Sequence, residues 1–225
     1  MKFENTEVWG FKHALRGMRN PLESWDKSDT FINGNCGTDC SCANCSQTEG
    51  IEIGERDLFL MQKLIKAGSE HRKFLRQIFV SVDITAPLYF FKELDTYKVG
   101  TVANSASTMH KLASTPITID CFEMDDFEDC KDDSNVYVSA IWIESITRLE
   151  KLRQAYNATK DKRYWKELIR LLPESWLQKR TITMNYENIL NMYRQRKNHK
   201  LTEWSKSFCD WIKTLPYAEE LICLE

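Results

Sequence analysis

The sequence predicts an α/β (α+β) fold in which a sheet is flanked by long helices. Between residues 78 and 84, apolar side chains alternate with other side chains at every second position, as in a half-buried strand. Several longer segments instead repeat apolar residues every three or four positions, which is the period of an amphipathic helix. The chain has 225 residues, 42% of them hydrophobic, and this is enough for one substantial core.

Composition excludes several classes of protein. The formal net charge of −2 argues against a dedicated nucleic-acid-binding protein, which would carry a strong basic excess. No apolar run approaches the roughly 20 residues needed to cross a bilayer. Residues 1–17 carry charges throughout, unlike a secretory signal. We therefore expect a soluble, cytoplasmic protein without membrane contacts.

The N-terminal part predicts a strand, a helix and a long excursion. Met1–Arg19 reads as a short strand and a helical turn that Asn20-Pro21 ends, because proline disfavours helical geometry in the residue before it. Glu23–Gly54 is polar, and we interpret it as a partly irregular excursion. Glu55–Gly68 predicts a helix whose apolar face carries Leu58, Met61, Leu64 and Ile65.

The central segment carries the chemistry. We interpret Glu70–Gln77 as a helix end with a histidine, followed by a strand at Ile78–Ile84. Lys92–His110 has the composition of a phosphate or nucleotide loop, in which hydroxyl groups and backbone N–H groups can bind an anion. A polar surface loop is the alternative. The residues concerned are Lys98, Gly100 and Asn104 with the hydroxyl side chains of Thr96, Thr101, Ser105, Ser107 and Thr108.

The second half of the chain predicts an acidic loop, then helices and a strand. Lys111–Asn135 reads as a solvated acidic loop. A cation site is the alternative, although the spacing lacks the ligand order and the glycine of an EF-hand. Val136–Tyr156 predicts the longest helix, Lys162–Pro173 a second helix stopped by proline, and Trp176–Met184 a strand. The apolar positions of the long helix are Ile141, Ile143, Ile146, Leu149 and Leu152.

Two helices complete the chain. Asn185 is expected to cap the helix Asn185–His199. Cations at the end of that helix either pair with the helix dipole or form an anion site, because the arginine fork suits phosphate or a pyrimidine edge. These cations are Arg194, Arg196, Lys197, His199 and Lys200. Leu201–Leu215 predicts a final helix with Trp204, Phe208, Trp211 and Ile212 on one face.

Four of the eight cysteines are clustered: Cys36, Cys40, Cys42 and Cys45. In a cytosolic chain, clustered cysteines favour metal or redox chemistry over structural disulfides. The spacing is not the paired CxxC of a zinc knuckle. A zinc or iron–sulfur site and reduced loop cysteines both remain open.

Two separated segments resemble the flavin-dependent thymidylate synthase family. EHRKFLRQIFVSVDI is similar to the family's helix-to-strand segment, and DTYKVGTVANSASTM follows where the family has a signature loop containing Arg-His-Arg. LLPESWLQKRTITMNYENILNMYRQR resembles the family's Leu-Pro, Asn-Ala-Arg, helix, Leu-Arg pattern. The resemblance covers about residues 55–110 and 165–204, in the family's order.

The resemblance implies a single thymidylate synthase-like domain over residues 1–225. The Cys-rich excursion at 23–54 and the acidic loop at 111–135 are not part of the family pattern. It implies a central, mainly antiparallel sheet and a homotetramer. It implies a flavin (FAD) site at His71, Tyr97, Lys98, Asn185 and Asn191, and a dUMP-like substrate site at Arg170, Arg196, Ser105 and Ser107, with the two serines in the catalytic position. NADPH and methylenetetrahydrofolate are implied in the same way.

The sequence departs from the family pattern at residues that bind the flavin and the nucleotide in the family. Thr96-Tyr97-Lys98 replaces Arg-His-Arg, and Thr108-Met109 replaces the final Arg-Tyr. Each lost charge-assisted contact costs about 1.5–3 kcal/mol, so ordinary thymidylate synthesis should be severely weakened. Three functions stay open: a flavin-dependent one-carbon transferase with an altered flavin site, a non-catalytic nucleotide- or protein-binding relative, and a Cys-cluster metal or redox protein.

Overall fold

The structure is a computed structural model that describes residues 1–32 and 50–224. Its strands are β1 (Lys2–Trp9), β2 (Phe31–Ile32), β3 (Ile51–Glu52), β4 (Phe79–Pro87), β5 (Val102–Ser105) and β6 (Leu177–Asn185). Its α-helices are α1 (Phe11–Arg19), α2 (Glu55–Lys66), α3 (Leu88–Leu94), α4 (Thr108–Lys111), α5 (Val138–Thr159), α6 (Lys162–Arg170), α7 (Tyr186–Arg196), α8 (Cys209–Lys213) and α9 (Ala218–Leu221). Short 3₁₀ turns lie at Asn20–Leu22, Trp25–Lys27, Lys73–Gln77, Asp95–Tyr97 and Ile119–Cys121.

The main sheet has four strands in the order β1-β4-β6-β5 and is antiparallel. A separate antiparallel pair joins β2 and β3, with Phe31 opposite Glu52 and Ile32 opposite Ile51. The predicted α+β class with a mainly antiparallel sheet is therefore confirmed.

Strand β4 forms where the alternating pattern predicts it. Ile78, Val80, Val82 and Ile84 are each at most 1% exposed, while the intervening side chains are partly accessible. Because successive side chains of a strand point to opposite faces, one face of β4 is apolar and buried. The strand continues to Pro87, beyond the predicted end.

The described chain divides into two compact units. The first unit comprises Met1–Lys2, Ile84–Asp95 and Asn104–Arg180. The second unit comprises Phe3–Asp83, Thr96–Ala103 and Thr181–Glu225. The expectation of one domain over the whole chain remains a prediction.

The second unit has an aromatic core around the first residue of α7. Tyr186 is fully buried, its ring packs edge-on against Phe11, and its hydroxyl donates to the Pro216 carbonyl at 2.6 Å. This hydrogen bond satisfies the buried phenol, and burial raises the pKa of Tyr186 well above its ordinary value. Other fully buried side chains of this unit are Met61, Ile65, Trp204, Phe208 and Ile212.

The first unit has its own apolar core beneath α5 and α6. Leu149 of α5 and Leu168 of α6 are buried there with three residues from the connecting segments: Leu112, Ile117 and Phe122. Trp176 packs edge-on against Phe122, with ring centroids 5.6 Å apart. These contacts fix the two helices against the segment that follows β5.

Two predictions about the chain between α2 and α4 require correction. Helix α2 ends at Lys66 and Gly68 adopts φ +108, so His71 lies in a turn rather than at a helix end. Lys92–His110 is not one loop, because it contains the end of α3, strand β5 and the start of α4. The polar loop composition did not reveal this short strand, whose side chains are exposed on both faces.

The helices follow the predictions with two differences. Helix α5 is present, but Ile141 and Ile143 are 45% and 66% exposed, so these two predicted apolar positions do not lie on its buried face. The predicted final helix begins as a π-helix (Glu203–Phe208) and continues as α8. Its four predicted face residues are all buried, as expected.

Helix α1 ends at Arg19 as predicted, although for a different reason than the one given. Asn20 keeps helical angles (φ −54, ψ −46), and a 3₁₀ turn accommodates Pro21 at its start. Within residues 1–32 and 50–224, no helix is long and apolar enough to span a membrane.

Candidate functional site

The five residues assigned to the flavin all lie in the second unit. His71 is exposed in the turn after α2, and Lys98 is exposed after the 3₁₀ turn that ends at Tyr97. Asn185 is the N-cap of α7, and Asn191 lies inside that helix. The following contacts show which of them come together.

Helix α7 begins with a reciprocal cap. The Asn188 backbone N–H donates to Asn185 Oδ1 at 3.0 Å, and the Asn185 N–H donates to Asn188 Oδ1 at 3.2 Å. Asn188 Nδ2 also donates to the Val99 carbonyl at 2.7 Å. A side chain at Gly100 would approach both asparagines at 3.1 Å. The cap therefore holds the Lys98–Gly100 segment against the start of α7.

A buried ion pair supports the first turns of α7. Glu187 is 7% exposed and accepts from Arg72 Nε at 3.2 Å and from Arg76 Nε. Arg72, itself 9% exposed, donates through Nη2 to Asn191 Oδ1 at 2.9 Å. The hydrogen bond to Glu187 raises the pKa of Arg76. One carboxylate thus faces two guanidinium groups.

Arg72 and Glu187 were not among the site residues predicted from the sequence. Glu187 follows Asn185-Tyr186, where the family pattern has arginine at the third position, and Arg72 follows His71 directly. The replacement of this arginine by Glu187 could be seen in the sequence. The pairing of Glu187 with Arg72 could not, because the two residues are 115 positions apart in the chain.

Arg196 lies at the end of α7 between two aromatic rings. Its guanidinium carbon is 5.1 Å from the Trp204 ring centroid and 5.5 Å from that of Tyr97. Arg196 Nε donates to the Tyr97 hydroxyl at 3.0 Å, and this hydroxyl donates to Gln195 Oε1 at 2.8 Å. The structure therefore brings together Tyr97 and Arg196, which the resemblance assigns to cofactor and substrate respectively.

Carboxylates and neighbouring cations both act on the arginines of this part of the second unit. Glu187 pairs with Arg72 and Arg76, and after the hydrogen bond to Glu187 the charges of Glu187 and Glu70 also raise the pKa of Arg76. Arg194 on α7 has its pKa lowered by desolvation and by the positive charge of Arg72.

The other substrate candidates lie in the first unit. Ser105 is the exposed last residue of β5, and Ser107 caps α4 by accepting from the His110 N–H at 3.2 Å. Between them, the Ala106 N–H donates to the Lys179 carbonyl at 2.8 Å and so fixes the segment to β6. The two hydroxyls are thus presented by a backbone-anchored turn.

Arg170 is the exposed last residue of α6 and pairs with Glu167 of the same helix. Among the described residues, no hydrogen bond or ion pair joins Arg170 to Ser105 or Ser107. Helix α6 is linked to α4 by the Trp165 indole, which donates to the Met109 carbonyl at 3.1 Å. The grouping of Arg170 with the serines remains a prediction.

Arg180 is a further cation of the first unit that the sequence analysis did not single out. Its guanidinium is 4.1 Å from the Phe91 ring centroid and donates to Asp95 at 3.0 Å and to Gln178 at 2.9 Å. These contacts fix its orientation on β6.

The predicted metal ligands Cys36, Cys40, Cys42 and Cys45 lie outside the described residues. In the described part of the chain, no group of three His, Cys, Asp or Glu side chains is arranged to hold a metal ion. A zinc or iron–sulfur site at these cysteines remains a prediction.

Comparison with solved structures shows which known fold this chain resembles. The described architecture is that of the flavin-dependent thymidylate synthases, as the resemblance implies. One similar structure is the flavin-dependent thymidylate synthase ThyX from Helicobacter pylori complexed with FAD and dUMP, with a TM-score of 0.65, 17% identity and coverage of 100% of both chains. A second structure of Helicobacter pylori ThyX with FAD and dUMP gives a TM-score of 0.68 and 16% identity, covering 99% of this chain and 97% of that one. No protein-family model and no curated protein matches the sequence.

Proposed function

We propose that this chain is a divergent, thymidylate synthase-like protein that binds a pyrimidine deoxynucleotide such as dUMP. The observation that carries the proposal is the full-length likeness to structures solved with FAD and dUMP. It is supported by the arginine-rich end of α7 in the second unit, where Arg196 is held between Tyr97 and Trp204.

Arg196 is the proposed principal contact to the nucleotide. Its planar fork suits a phosphate or the edge of a pyrimidine, and its contact with Tyr97 reduces the entropy lost when a ligand binds. In the first unit, we propose that the exposed hydroxyls of Ser105 and Ser107 hydrogen-bond the substrate and occupy the catalytic position. Arg170 is proposed as a second cationic contact.

The residues assigned to FAD offer little positive charge to the two phosphates of that cofactor, because Thr96-Tyr97-Lys98 stands where the family pattern has Arg-His-Arg and only Lys98 keeps a charge. Tyr97, Asn185 and Asn191 each already accept one hydrogen bond within the chain, from Arg196, Asn188 and Arg72 respectively. His71 and Lys98 are exposed. We therefore derive no flavin-dependent step, and one-carbon transfer remains a proposal that requires FAD binding to be demonstrated first.

This observation favours a second candidate function. A non-catalytic relative would keep the fold and the nucleotide site without a flavin grip. It would bind dUMP but neither NADPH nor methylenetetrahydrofolate, and the purified protein would lack flavin absorbance. The homotetramer implied by the resemblance is a separate proposal, tested by light scattering during size-exclusion chromatography.

Thermal unfolding with dUMP tests the proposed function. A ligand at 100 times its dissociation constant stabilises the folded state by about 2.7 kcal/mol, which raises the melting temperature of a chain of this size by about 5–11 °C. Arg196→Ala should weaken binding by about tenfold or more, as expected for a lost charged contact. At the same dUMP concentration, the stabilisation should then fall to about 1.4 kcal/mol or less.

Matched variants provide the controls. Arg163→Ala removes an equal charge from an exposed residue at the start of α6 and should leave dUMP stabilisation unchanged, whereas Arg170→Ala at the end of the same helix should reduce it. Arg196→Lys keeps the charge but loses the fork. Equal dUMP stabilisation of the wild type and Arg196→Ala would reject the assignment of Arg196, and no stabilisation of the wild type would reject the proposed function.

A further inference from the structure

The second unit contains a cavity of about 570 Å³ beside α1, which we call the α1 cavity. Its size is that of small-molecule sites in proteins. It is lined by the following residues: Lys12, His13, Leu15, Arg16, Arg19, Trp25, Ser28, Thr30 and Ile32. None of these residues belongs to the proposed dUMP or flavin sites.

The floor of the α1 cavity is fixed by a buried ion pair. Arg19 is 5% exposed and Asp57 is fully buried, and their charged atoms are 2.7 Å apart. Asp57 also accepts from the hydroxyls of Ser28 at 2.5 Å and Thr30 at 2.6 Å. Arg19 further donates to the Ser24 carbonyl at 3.1 Å. The segment that forms one wall is therefore held in place before any ligand binds.

The other basic side chains of the α1 cavity, those of Lys12, His13 and Arg16, are exposed. Within residues 1–32 and 50–224, no carboxylate pairs with Lys12, His13 or Arg16. Lys12 and Arg16 are four residues apart on α1, so two like charges are neighbours on one helical face, an arrangement that destabilises a helix. Lys12 also lies in the first turn, where positive charge is unfavourable, whereas Arg16 lies in the last turn, where it is favourable. The charge of Lys12 therefore does not serve the stability of α1.

An aromatic ring completes the lining. Trp25 is 50% exposed, and its indole N–H donates to Asn20 Oδ1 at 2.9 Å. The hydrogen bond fixes the ring while leaving part of its surface accessible. An accessible aromatic ring next to cations is the combination that recognises a planar ring bearing a phosphate, because stacking and charge pairing act together.

We propose that the α1 cavity binds a small phosphorylated aromatic compound of nucleotide size, with its phosphate at Lys12 and Arg16 and its ring at Trp25. The Arg19–Asp57 pair acts as a positioning element, since its own charges are mutually satisfied. This site is separate from Arg196 and does not depend on the proposed function.

Calorimetric titration of the whole chain with AMP tests the proposal. We expect saturable binding at concentrations up to about 1 mM. Adenosine and ribose 5-phosphate should each bind at least about tenfold more weakly, because one lacks the phosphate and the other the base. AMP binding should also weaken as salt rises, since exposed charges are screened.

The variants isolate the site. Lys12→Ala combined with Arg16→Ala should weaken AMP binding by about tenfold or more. Lys162→Ala combined with Lys166→Ala removes two exposed lysines with the same spacing on α6 and should have no effect. Arg196→Ala should also leave AMP binding unchanged, which separates this site from the proposed dUMP site.

The outcomes decide the proposal. Absence of AMP binding, or equal AMP binding by the wild type and the Lys12/Arg16 double variant with an unchanged melting temperature, would overturn it. Equal affinities for ribose 5-phosphate and AMP, together with no effect of Trp25→Ala, would overturn the assignment of an aromatic ligand. Loss of AMP binding in Arg196→Ala but not in the double variant would place the ligand elsewhere.

Discussion

Replacing Glu187 by alanine tests the buried ion pair that supports α7. The substitution removes the carboxylate that accepts from both Arg72 and Arg76 and leaves the Arg72 guanidinium, at 9% exposure, without a counter-ion. Of its contacts with Glu187 and Asn191, Arg72 would keep the hydrogen bond to Asn191 at 2.9 Å. The charge of Arg76 is half exposed and can be solvated by water.

The expected cost follows from these differences in burial. Removing one partner of a buried ion pair costs about 3–5 kcal/mol, whereas an exposed pair contributes at most about 1 kcal/mol. Because Asn191 still accepts from Arg72, we expect Glu187→Ala to lower the free energy of unfolding by about 3 kcal/mol. This corresponds to a decrease of about 6–12 °C in melting temperature.

Urea unfolding followed by circular dichroism measures this cost. Glu219→Ala removes an exposed glutamate and should change stability by less than about 0.5 kcal/mol. Replacing both charges, with Arg72→Met and Glu187→Leu, should restore stability to within about 1 kcal/mol of the wild type, because no unpaired buried charge remains. A cost below about 1 kcal/mol for Glu187→Ala would refute the reasoning, and so would a double variant no more stable than Glu187→Ala.

Three further predictions concern backbone strain, acid stability and thiol reactivity. Gly100→Ala should lower the free energy of unfolding in urea by about 1–2 kcal/mol, because φ is +78 and the added methyl group crowds two asparagines. Gly68→Ala is the control for backbone strain alone, since Gly68 has φ +108 and open space around it. A smaller loss of stability at Gly100 than at Gly68 would contradict the crowding. The hydrogen bond from Arg153 lowers the pKa of Glu150 to about 2. The stabilisation of the fold by ionised Glu150 is therefore complete above the ordinary pKa of 4.5 and is lost as pH falls towards 2. Glu150→Gln should remove about 1–2 kcal/mol of this acid-sensitive stability, and an unchanged dependence of unfolding free energy on pH below 4.5 would contradict the prediction. Burial raises the pKa of Cys209 to about 11, so mass spectrometry should find this thiol unmodified by iodoacetamide at pH 8 until the chain unfolds; rapid alkylation of the folded protein would contradict this.

The elements that the sequence predicted well are those set by local pattern. Strand β4 follows from period-two alternation, and the cap of α7 follows from Asn185, whose side chain accepts from the backbone three residues later. Helix α2 was predicted with an apolar face, but its buried stripe also contains Asp57. A buried carboxylate depends on Arg19, which is 38 residues away in the chain, and no local pattern encodes such a partner.

The candidate site shows the same limit. The resemblance selected Tyr97 and Arg196 separately, and only the fold revealed their hydrogen bond. Arg72 was not selected, because its importance depends on burial beside Glu187. Alignment of a motif with the sequence can thus suggest candidate site residues. Which of their charges pair depends on contacts between segments that are distant in the chain.

Isothermal titration of the wild-type chain with dUMP tests the central claim most directly. The account predicts saturable binding at concentrations up to about 1 mM, whether or not flavin is present. Absence of any binding heat in that range, at two temperatures so that a zero enthalpy is not mistaken for no interaction, would contradict it.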